Sequence, residues 1–427
     1  MKKFTTGFLL LTLFLVQFSF AQEKIDDEVL ARIKTEGFQH SQIMDTVGYL
    51  VDVFGPRLTN SPNIHAAQEW TAQKMTSWGL KNAKTEPWGT FGSGWEVENY
   101  SFEMTAPTYD RINAIPFAWS APTNGEVSGE PVFVSISSEK DFEKYRGKLK
   151  GKIVFNGKVS KEDPESRYKP VSKRFSEDQL KSIAKAIDPK QAGELGGGVD
   201  YIEEEAEWIA SLARASAINK FFVDEGIAAL VRPSRFSNGV LLTQGYYDYD
   251  PAKNAPAFVI SKEQYARIMR LNDRKIPVKV SLSLKTKTYD DKTGRNVIAE
   301  IPGSDPKLKD QVVLLGGHFD SWHAGTGAAD NAAGCAAVME ALRILQAIGV
   351  KPRRTIRLAL WSGEEQDYYG SLNYVKNHYG DPATGKRKPE AENVTAYYNL
   401  DNGSGRIRGI YLQGNEAVRP IFESYLK

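Results

Sequence analysis

Residues 312–331 read VVLLGGHFDSWHAGTGAADN, and this stretch decides the fold class. The apolar run 312–315 has the length and composition of a buried strand. Small, flexible and ionisable residues follow it, and an alanine-rich segment at 332–348 then has the periodicity of a helix. A strand followed by a helix is the building unit of α/β proteins. The stretch therefore predicts a strand–loop–helix unit with ionisable side chains where the strand ends.

The remainder of the C-terminal third repeats this alternation. The predicted strands are 296–301, 311–315, 355–361 and 395–400, and the predicted helices are 332–348 and 371–378. Strands that alternate with helices favour a largely parallel sheet with helices packed on its faces. We therefore expect an α/β fold with a mostly parallel mixed sheet and helices on both faces.

The middle of the chain has a different, β-rich pattern. Two predicted helices, 43–54 and 63–78, come first. The later elements are short strands at 131–134, 152–155 and 227–231, a helix near 213–225, a helix at 262–271 and a strand at 277–284. The pattern predicts a β-rich module inserted into the larger domain. The predicted division is 22–124 for the first part of the main domain, 125–285 for the insert, and 286–427 for the catalytic part.

The first residues have the features of a secretory signal peptide. Lys2 and Lys3 precede an apolar stretch at 8–18, and a small-x-small site ends at Ala21. The apolar stretch is too short for a comfortable membrane span. We expect cleavage after Ala21, which makes 1–21 a signal peptide and the mature protein secreted or periplasmic, with no membrane association afterwards.

Charge and cysteine content exclude several classes of partner. The chain has 55 basic and 53 acidic side chains, and 1–21 holds two lysines and no acid, so the mature chain has no formal net charge. Nucleic acids and anionic membranes both attract basic surfaces, so neither is expected as a partner. The single cysteine, Cys335, excludes intrachain disulfides.

Three predicted strands end in carboxylate-rich segments. His318 and Asp320 follow the first, Glu364 and Glu365 the second, and Asp401 the third. Ligands of open α/β sheets bind beyond the carboxyl ends of the strands. Carboxylates crowded there repel one another, and a divalent cation relieves that repulsion. One imidazole among carboxylates suits zinc, with manganese or cobalt as alternatives.

Each segment also has a purely structural interpretation. Asp330 can cap the helix that begins at 332, and 362–365 fits the S-x-x-E capping box. Asp401 fits ordinary turn chemistry, and a lone histidine such as His318 is often only hydrogen-bonded. Because all four converge on one edge of one sheet, the metal interpretation is favoured.

These motifs resemble metallopeptidase family 28. The matching motifs are HFD at 318–320, AADNAAG at 328–334, SGEEQ at 362–366 and NLDNGS at 399–404. Members of this family are two-zinc exopeptidases, and the 12-residue step from His318 to Asp330 resembles the plasma glutamate carboxypeptidase branch. The insert resembles a protease-associated (PA) domain.

The resemblance implies a role for each site residue. His318 and Asp401 would bind the first zinc, Asp330 would bridge both, and Glu365 would bind the second. Glu364 would be the general base and acid for attack of a zinc-activated water on the peptide carbonyl. Asp320 would not bind zinc itself but would orient the zinc-bound imidazole of His318.

The chain departs from the family pattern at the second zinc. The family's last ligand is a histidine beyond the NLD strand, whereas none of the 26 residues after Asp401 is a histidine. Two smaller departures are Asp367 in place of glycine and Asn331 in place of aspartate. We expect a C-terminally truncated sheet, two zinc ions in a full-length chain, and weak second-zinc binding with little activity in this one. If this chain itself held two zinc ions tightly and hydrolysed peptides at ordinary rates, His323 would be the first residue to test as the substitute ligand.

Three functions compete on these motifs. The leading one is an exported zinc exopeptidase that acts on short peptides as an aminopeptidase or a dipeptide-directed carboxypeptidase. The others are a non-catalytic receptor on the same fold and a single-zinc, glutaminyl-cyclase-like transferase. A metal content of two, none or one distinguishes them. Trp322, Tyr368 and Tyr369 flank the ligands and are candidates for a side-chain pocket or for the core.

Overall fold

The computed structural model describes residues 25–159, 168, 175–185, 201–401 and 403–425. The helices are α1 (Asp27–Gln39), α2 (Ile43–Gly48), α3 (Pro62–Ser77), α4 (Phe142–Tyr145), α5 (Glu177–Lys185), α6 (Tyr201–Glu225), α7 (Lys262–Asp273), α8 (Ala333–Ala347), α9 (Tyr369–His378) and α10 (Arg419–Tyr425). The strands are β1 (Lys81–Thr90), β2 (Gly94–Ala106), β3 (Asp110–Arg111), β4 (Ala114–Pro116), β5 (Val127–Gly129), β6 (Pro131–Val134), β7 (Ile153–Asn156), β8 (Ala229–Pro233), β9 (Ala257–Ile260), β10 (Lys279–Tyr289), β11 (Thr293–Ile301), β12 (Val312–His318), β13 (Thr355–Trp361), β14 (Gly380–Asp381), β15 (Lys386–Arg387) and β16 (Val394–Asn399).

A five-stranded mixed sheet carries the candidate site. Its order is β1-β11-β13-β12-β16. Strand β12 pairs in parallel with β13 and with β16, as the strand–helix alternation predicts. Strands β1–β11 and β11–β13 pair antiparallel, so only half of the pairings are parallel. The predicted α/β class is confirmed, and the mostly parallel character applies to the half of the sheet around β12.

Helices cover both faces of this sheet, as predicted. Strand β11 shows the alternation that separates the faces: Val297 and Ala299 join one core, whereas Ile298 joins the other. The first core contains α3 residues such as Met75 and α8 residues such as Met339. The second core includes Tyr374 of α9. Burial on both faces explains the nearly continuous apolar runs in β12 and β13.

The β-rich part of the chain forms two further sheets. An antiparallel sheet has the order β3-β2-β10-β5, and a mixed sheet has the order β4-β9-β8-β7-β6. They share one apolar core, to which Phe102, Val280 and Phe258 contribute. Strands β2 and β4 lie before residue 125. They pair with β10 and β9, which are distant from them in sequence. The domain division at 125 and the PA-like assignment remain predictions.

The chain divides into two units, 1–31 with 406–427, and 32–405. The described part of the first unit comprises the start of α1 and the short helix α10. All site residues discussed below belong to the second unit. The predicted signal peptide lies outside the described residues. Within the part of the chain that is described, no helix is long and apolar enough to cross a membrane.

Candidate metal centre

The parallel strands bring the predicted site residues to one edge of the sheet. His318 is the last residue of β12 and pairs with Trp361, the last residue of β13. Strand β16 ends at Asn399, which pairs with Gly316 of β12. The segments that follow the three strands therefore emerge side by side. This is the convergence that the sequence predicts.

His318 stands at the centre of the cluster. Its side chain is buried, and its Nε2 lies 2.8 Å from Asp330 Oδ1 and 3.3 Å from Asp401 Oδ1. On the other side of the ring, Nδ1 donates to the backbone carbonyl of Asp320 over 3.1 Å. A histidine with one nitrogen held by an acceptor and the other directed at carboxylates is arranged as a metal ligand is.

The carboxylate of Asp320 lies near the His318 ring and also contacts the segment after β13. Its Oδ1 lies 3.7 Å from His318 Nδ1, farther than the backbone carbonyl of the same residue. The carboxylate accepts hydrogen bonds from the backbone amides of Glu364 and Glu365, each at 3.2 Å, and from Thr59 Oγ1 at 3.0 Å. Asp320 is completely buried. It therefore fixes the segment after β13 directly and holds His318 through its main chain.

The structure contradicts the capping interpretation of Asp330. Helix α8 begins at Ala333, its N-cap is Ala332, and no side chain caps it. Asp330 has non-helical backbone dihedral angles within an irregular turn, and its side chain is exposed. Its carboxylate contacts the imidazole of His318. Asp330 therefore belongs to the cluster and does not cap the helix.

The segment 362–365 is not a capping box. Helix α9 begins at Tyr369, four residues after Glu365, and its N-cap is Tyr368. Ser362 Oγ donates to the carbonyl of Arg295 and accepts from Trp88 Nε1. Neither glutamate is needed for helix initiation. Both are partly buried beside the cluster.

Glycines let the backbone approach closely at this edge. A Cβ on Gly316 would come within 2.6 Å of the Tyr397 hydroxyl and 2.8 Å of Trp361 Nε1. A Cβ on Gly334, in the first turn of α8, would collide with Asn331 and lie 2.5 Å from the carbonyl of Leu400. The small residues of the opening stretch therefore allow β12, β16 and α8 to pack together around the ionisable groups.

The two glutamates of the cluster have raised pKa values. Burial raises the pKa of Glu364 to about 7, with a further contribution from the nearby aspartates. Burial, followed by Asp320 and Asp330, raises the pKa of Glu365 to about 8. Burial lowers the pKa of His318, but the adjacent aspartates outweigh it and raise that pKa overall. Carboxylates that resist ionisation because they crowd one another are the groups that a divalent cation stabilises.

The donor set fits such a cation. Single ligand atoms of His318, Asp330 and Glu365 all lie within 4.8 Å of one another, and Asp401 approaches the same imidazole nitrogen. One neutral imidazole with carboxylate oxygens suits zinc better than magnesium or calcium. These residues could therefore hold zinc.

The remaining histidines lie elsewhere. His323, the candidate substitute ligand, donates from Nε2 to the carbonyl of Pro116 over 2.8 Å and packs edge-on against Trp95. It therefore belongs to the packing around β4 and does not join the cluster. His40, His65 and His378 contact Glu36, Asn60 and Glu86 respectively. Among the described residues, the cluster contains a single imidazole.

Arg57 supports the loop that carries the site, and the sequence did not predict this. Arg57 is completely buried, and its guanidinium donates to the backbone carbonyls of Phe319, Leu50, Gly55, Thr326 and Gly327. It thereby holds the loop between His318 and Asp330. A lone arginine in the segment 57–61 carries no metal or catalytic signal, so this contact could not be predicted from the sequence.

The three flanking aromatic residues separate into different roles. Trp322 is partly buried and packs edge-on against Trp119 at 6.2 Å, so it belongs mainly to the core. Tyr368 is 56% exposed. Tyr369 stacks on Trp88 at 6.1 Å and meets Phe91 edge-on. Only Tyr369 lines a cleft described below.

The fold and the site define a class of protein: an α/β protein with a histidine–carboxylate cluster, suited to a metal ion, at the carboxyl ends of its parallel strands. Residues 296–427 match the model of Peptidase family M28. The chain is 27% identical over 399 residues to Carboxypeptidase Q of Pongo abelii, covering 93% of this chain and 72% of that protein.

Two solved structures share the fold. The Peptidase M28 precursor from Shewanella amazonensis has a TM-score of 0.61 at 21% identity, covering 93% of this chain and 80% of its own. A zinc aminopeptidase from Bacillus subtilis has a TM-score of 0.50 at 17% identity, covering 84% of this chain and 68% of its own. These comparisons confirm the predicted resemblance to metallopeptidase family 28. The names of the relatives, carboxypeptidase and aminopeptidase, support the predicted enzyme class, a metallo-exopeptidase.

Proposed function

We propose that the chain is an exported, zinc-dependent exopeptidase that cleaves short peptides. The observation that carries the proposal is the His318 imidazole, which is anchored through Nδ1 while Nε2 faces Asp330 and Asp401. In this proposal, His318 and Asp401 would hold the first zinc, Glu365 would hold the second, and Asp330 would be a ligand shared by the two. The names of the zinc aminopeptidase and of Carboxypeptidase Q support the zinc and exopeptidase assignments.

Glu364 is the proposed general base and acid. When bound, zinc would supply a Lewis acid that activates water and polarises the scissile carbonyl. Glu364 lies beside the ligand Glu365 and has no capping role, so its carboxylate is available to take a proton from the attacking water. The same group then returns the proton to the leaving amine. Asp320 assists by holding the Glu364 main chain.

The proposed location and the proposed insert rest on the sequence and on the sheet packing. Export rests on the signal-peptide features of 1–21. The two packed sheets formed by β2–β10 support a PA-like module next to the catalytic sheet. We assign short peptides as the substrate class, because family 28 relatives include a carboxypeptidase and an aminopeptidase.

A combined measurement of metal content and hydrolysis tests this function. The purified chain is loaded with excess zinc and assayed on aminoacyl-p-nitroanilides, on dipeptides with free termini and on N-blocked dipeptides. Hydrolysis that stops with a chelator and returns with zinc supports the proposal. Cleavage of aminoacyl-p-nitroanilides indicates aminopeptidase action, and cleavage of N-blocked dipeptides indicates carboxypeptidase action. A protein that binds no metal would instead be a receptor-like member, and one that cyclises N-terminal glutamine with one zinc would be a transferase.

A further inference from the structure

A cleft of about 580 Å³ is lined in part by Tyr369, which follows Glu365 of the candidate metal centre by four residues. Its volume is in the range of sites that bind small molecules. One side is formed by Phe91, Tyr249 and Tyr369, and the other by the α6 residues Leu212, Ala213 and Ser216. None of these residues is a proposed zinc ligand.

The floor of the cleft is joined to the segment that carries the two glutamates. The amide of Tyr369 donates to the carbonyl of Gly363 over 2.9 Å, and the Tyr249 hydroxyl donates to the carbonyl of Gln366 over 3.3 Å. These bonds bracket Glu364 and Glu365 in the sequence. A group bound in the cleft would therefore lie next to the catalytic segment.

The aromatic rings of the floor pack against one another. Phe91 stacks on Tyr249 with ring centroids 4.4 Å apart, and Tyr369 meets Phe91 edge-on at 5.6 Å. Gly92 allows this arrangement, because a Cβ at that position would collide with Tyr249. Preformed aromatic surfaces bind flat or branched apolar groups at little cost in conformational entropy.

Helix α6 supplies the opposite wall without being buried there. Trp208 is 47% exposed and Ile209 is 58% exposed, although both are large and apolar. The Trp208 ring meets Tyr247 edge-on at 6.0 Å, and Tyr247 also lines the cleft. The helix therefore presents apolar side chains toward the cleft side of the molecule.

Charges in the cleft do not favour a charged occupant. Asp248 pairs with Lys253 at 3.4 Å, and Asp250 accepts from the amide of Ala252 as a helix cap. Lys292, the remaining charged residue of the lining, balances Asp250 in formal charge. With no net charge, the aromatic and aliphatic surfaces determine what the cleft accepts.

We propose that this cleft is the subsite for an aromatic or large aliphatic side chain of the peptide substrate, with α6 as its outer wall. The proposal rests on the peptidase function proposed above and adds side-chain specificity to it. It also assigns a substrate-binding role to the β-rich part of the chain, which contributes both α6 and Tyr249.

The test compares two matched substitutions on α6. Ala213→Trp fills the cleft, whereas Ala215→Trp adds the same side chain at an exposed position outside the lining, about 200° around the helix. For each zinc-loaded protein, kcat/KM is measured for Gly-Phe, Phe-Gly and Gly-Gly. Ala213→Trp is expected to lower the ratio of the better phenylalanine peptide to Gly-Gly by about 10- to 100-fold. Ala215→Trp is expected to leave that ratio unchanged.

Equilibrium binding separates this inference from the proposed function. Binding of the same peptides is measured by calorimetry, and Leu212→Ala provides a milder second variant with an expected loss of a few fold for phenylalanine peptides only. If no peptide is hydrolysed but Ala213→Trp still weakens binding selectively, the peptidase function fails and the cleft assignment stands. If peptides are cleaved or bound with the same selectivity in both tryptophan variants, the cleft assignment is overturned.

Discussion

The carboxylate of Asp320 accepts a hydrogen bond from the backbone amide of Glu364 over 3.2 Å. A residue that follows β12 thereby fixes the proposed proton-transfer group that follows β13. The second carboxylate oxygen binds the amide of Glu365 and the hydroxyl of Thr59. One buried side chain thus sets the positions of both glutamates relative to His318.

Removing this carboxylate should damage catalysis and stability together. Asp320→Ala leaves two partly buried amides unpaired, and each unpaired group costs up to about 1–3 kcal/mol of unfolding free energy. We also expect kcat to fall while KM changes little, because Glu364 is no longer held in place. Thr59→Val removes only one of the three bonds and is the control, with a loss of about 1 kcal/mol. Unchanged kcat in a folded, zinc-loaded Asp320→Ala protein would contradict the positioning role.

Replacement of Glu364 should stop turnover without affecting the fold. General acid–base groups contribute about 10²–10⁴-fold in rate, so Glu364→Gln should lower kcat by that factor. Zinc content and Tm should remain nearly unchanged, because Glu364 neither caps α9 nor serves as a proposed ligand. The adjacent Glu365→Gln is the matched comparison and should lower zinc content as well. Ordinary kcat in a stable Glu364→Gln protein would remove Glu364 from the mechanism.

Asp330 should prove essential for metal and dispensable for helix stability. Asp330→Ala removes the carboxylate proposed to contact both ions. We therefore expect dialysis to remove both zinc ions from this variant, and its hydrolytic activity to be lost. Because Asp330 does not cap α8, the metal-free variant should unfold with the same free energy as the metal-free parent. Asp310→Asn, at another exposed aspartate, should change neither property. If Asp330 capped α8, Asp330→Ala would instead lower the unfolding free energy of the metal-free protein by on the order of 1 kcal/mol.

Much of the site could be predicted because its signals are local. The apolar runs of β12 and β13 and the carboxylates after them are contiguous in sequence, and parallel pairing then brings them together. Arg57 and Thr59 could not be predicted in the same way. Their partners Phe319 and Asp320 lie more than 260 positions away, and nothing in a polar loop indicates such a contact. The antiparallel half of the sheet depends equally on a distant pairing, β1 with β11.

Protonation of His323 should destabilise the fold in mildly acidic solution. Its Nε2 donates to Pro116, its Nδ1 is buried without a hydrogen-bond partner among the described residues, and burial lowers its pKa to about 4. The unfolded chain takes up this proton near pH 6.5. The stabilisation is therefore complete above about pH 6.5 and is lost as the pH falls toward 4, by up to about 3 kcal/mol.

Denaturant unfolding of the metal-free protein at pH 7.5, 5.5 and 4.5 measures this effect. His323→Gln retains a donor for Pro116 but cannot take up a proton, so its stability should depend less on pH than that of the parent. His40→Gln, at an exposed histidine of the second unit, is the control and should follow the parent. Parallel pH profiles for the parent and His323→Gln would show that another group dominates.

Zinc binding by this chain should occur in two steps of unequal affinity. In the proposed ligand set, the first ion would have three protein ligands, His318, Asp330 and Asp401, which is the usual number at a catalytic zinc. The second ion would have only Asp330 and Glu365 among the described residues.

Competition with a zinc chelator should resolve one tight and one weak site, and hydrolysis should rise with excess zinc as the weak site fills. Asp401→Asn should weaken the tight step, whereas Glu365→Gln should remove only the weak one. Two equally tight sites in the parent would mean that a further protein ligand completes the second site, and the proposed ligand set would then be wrong.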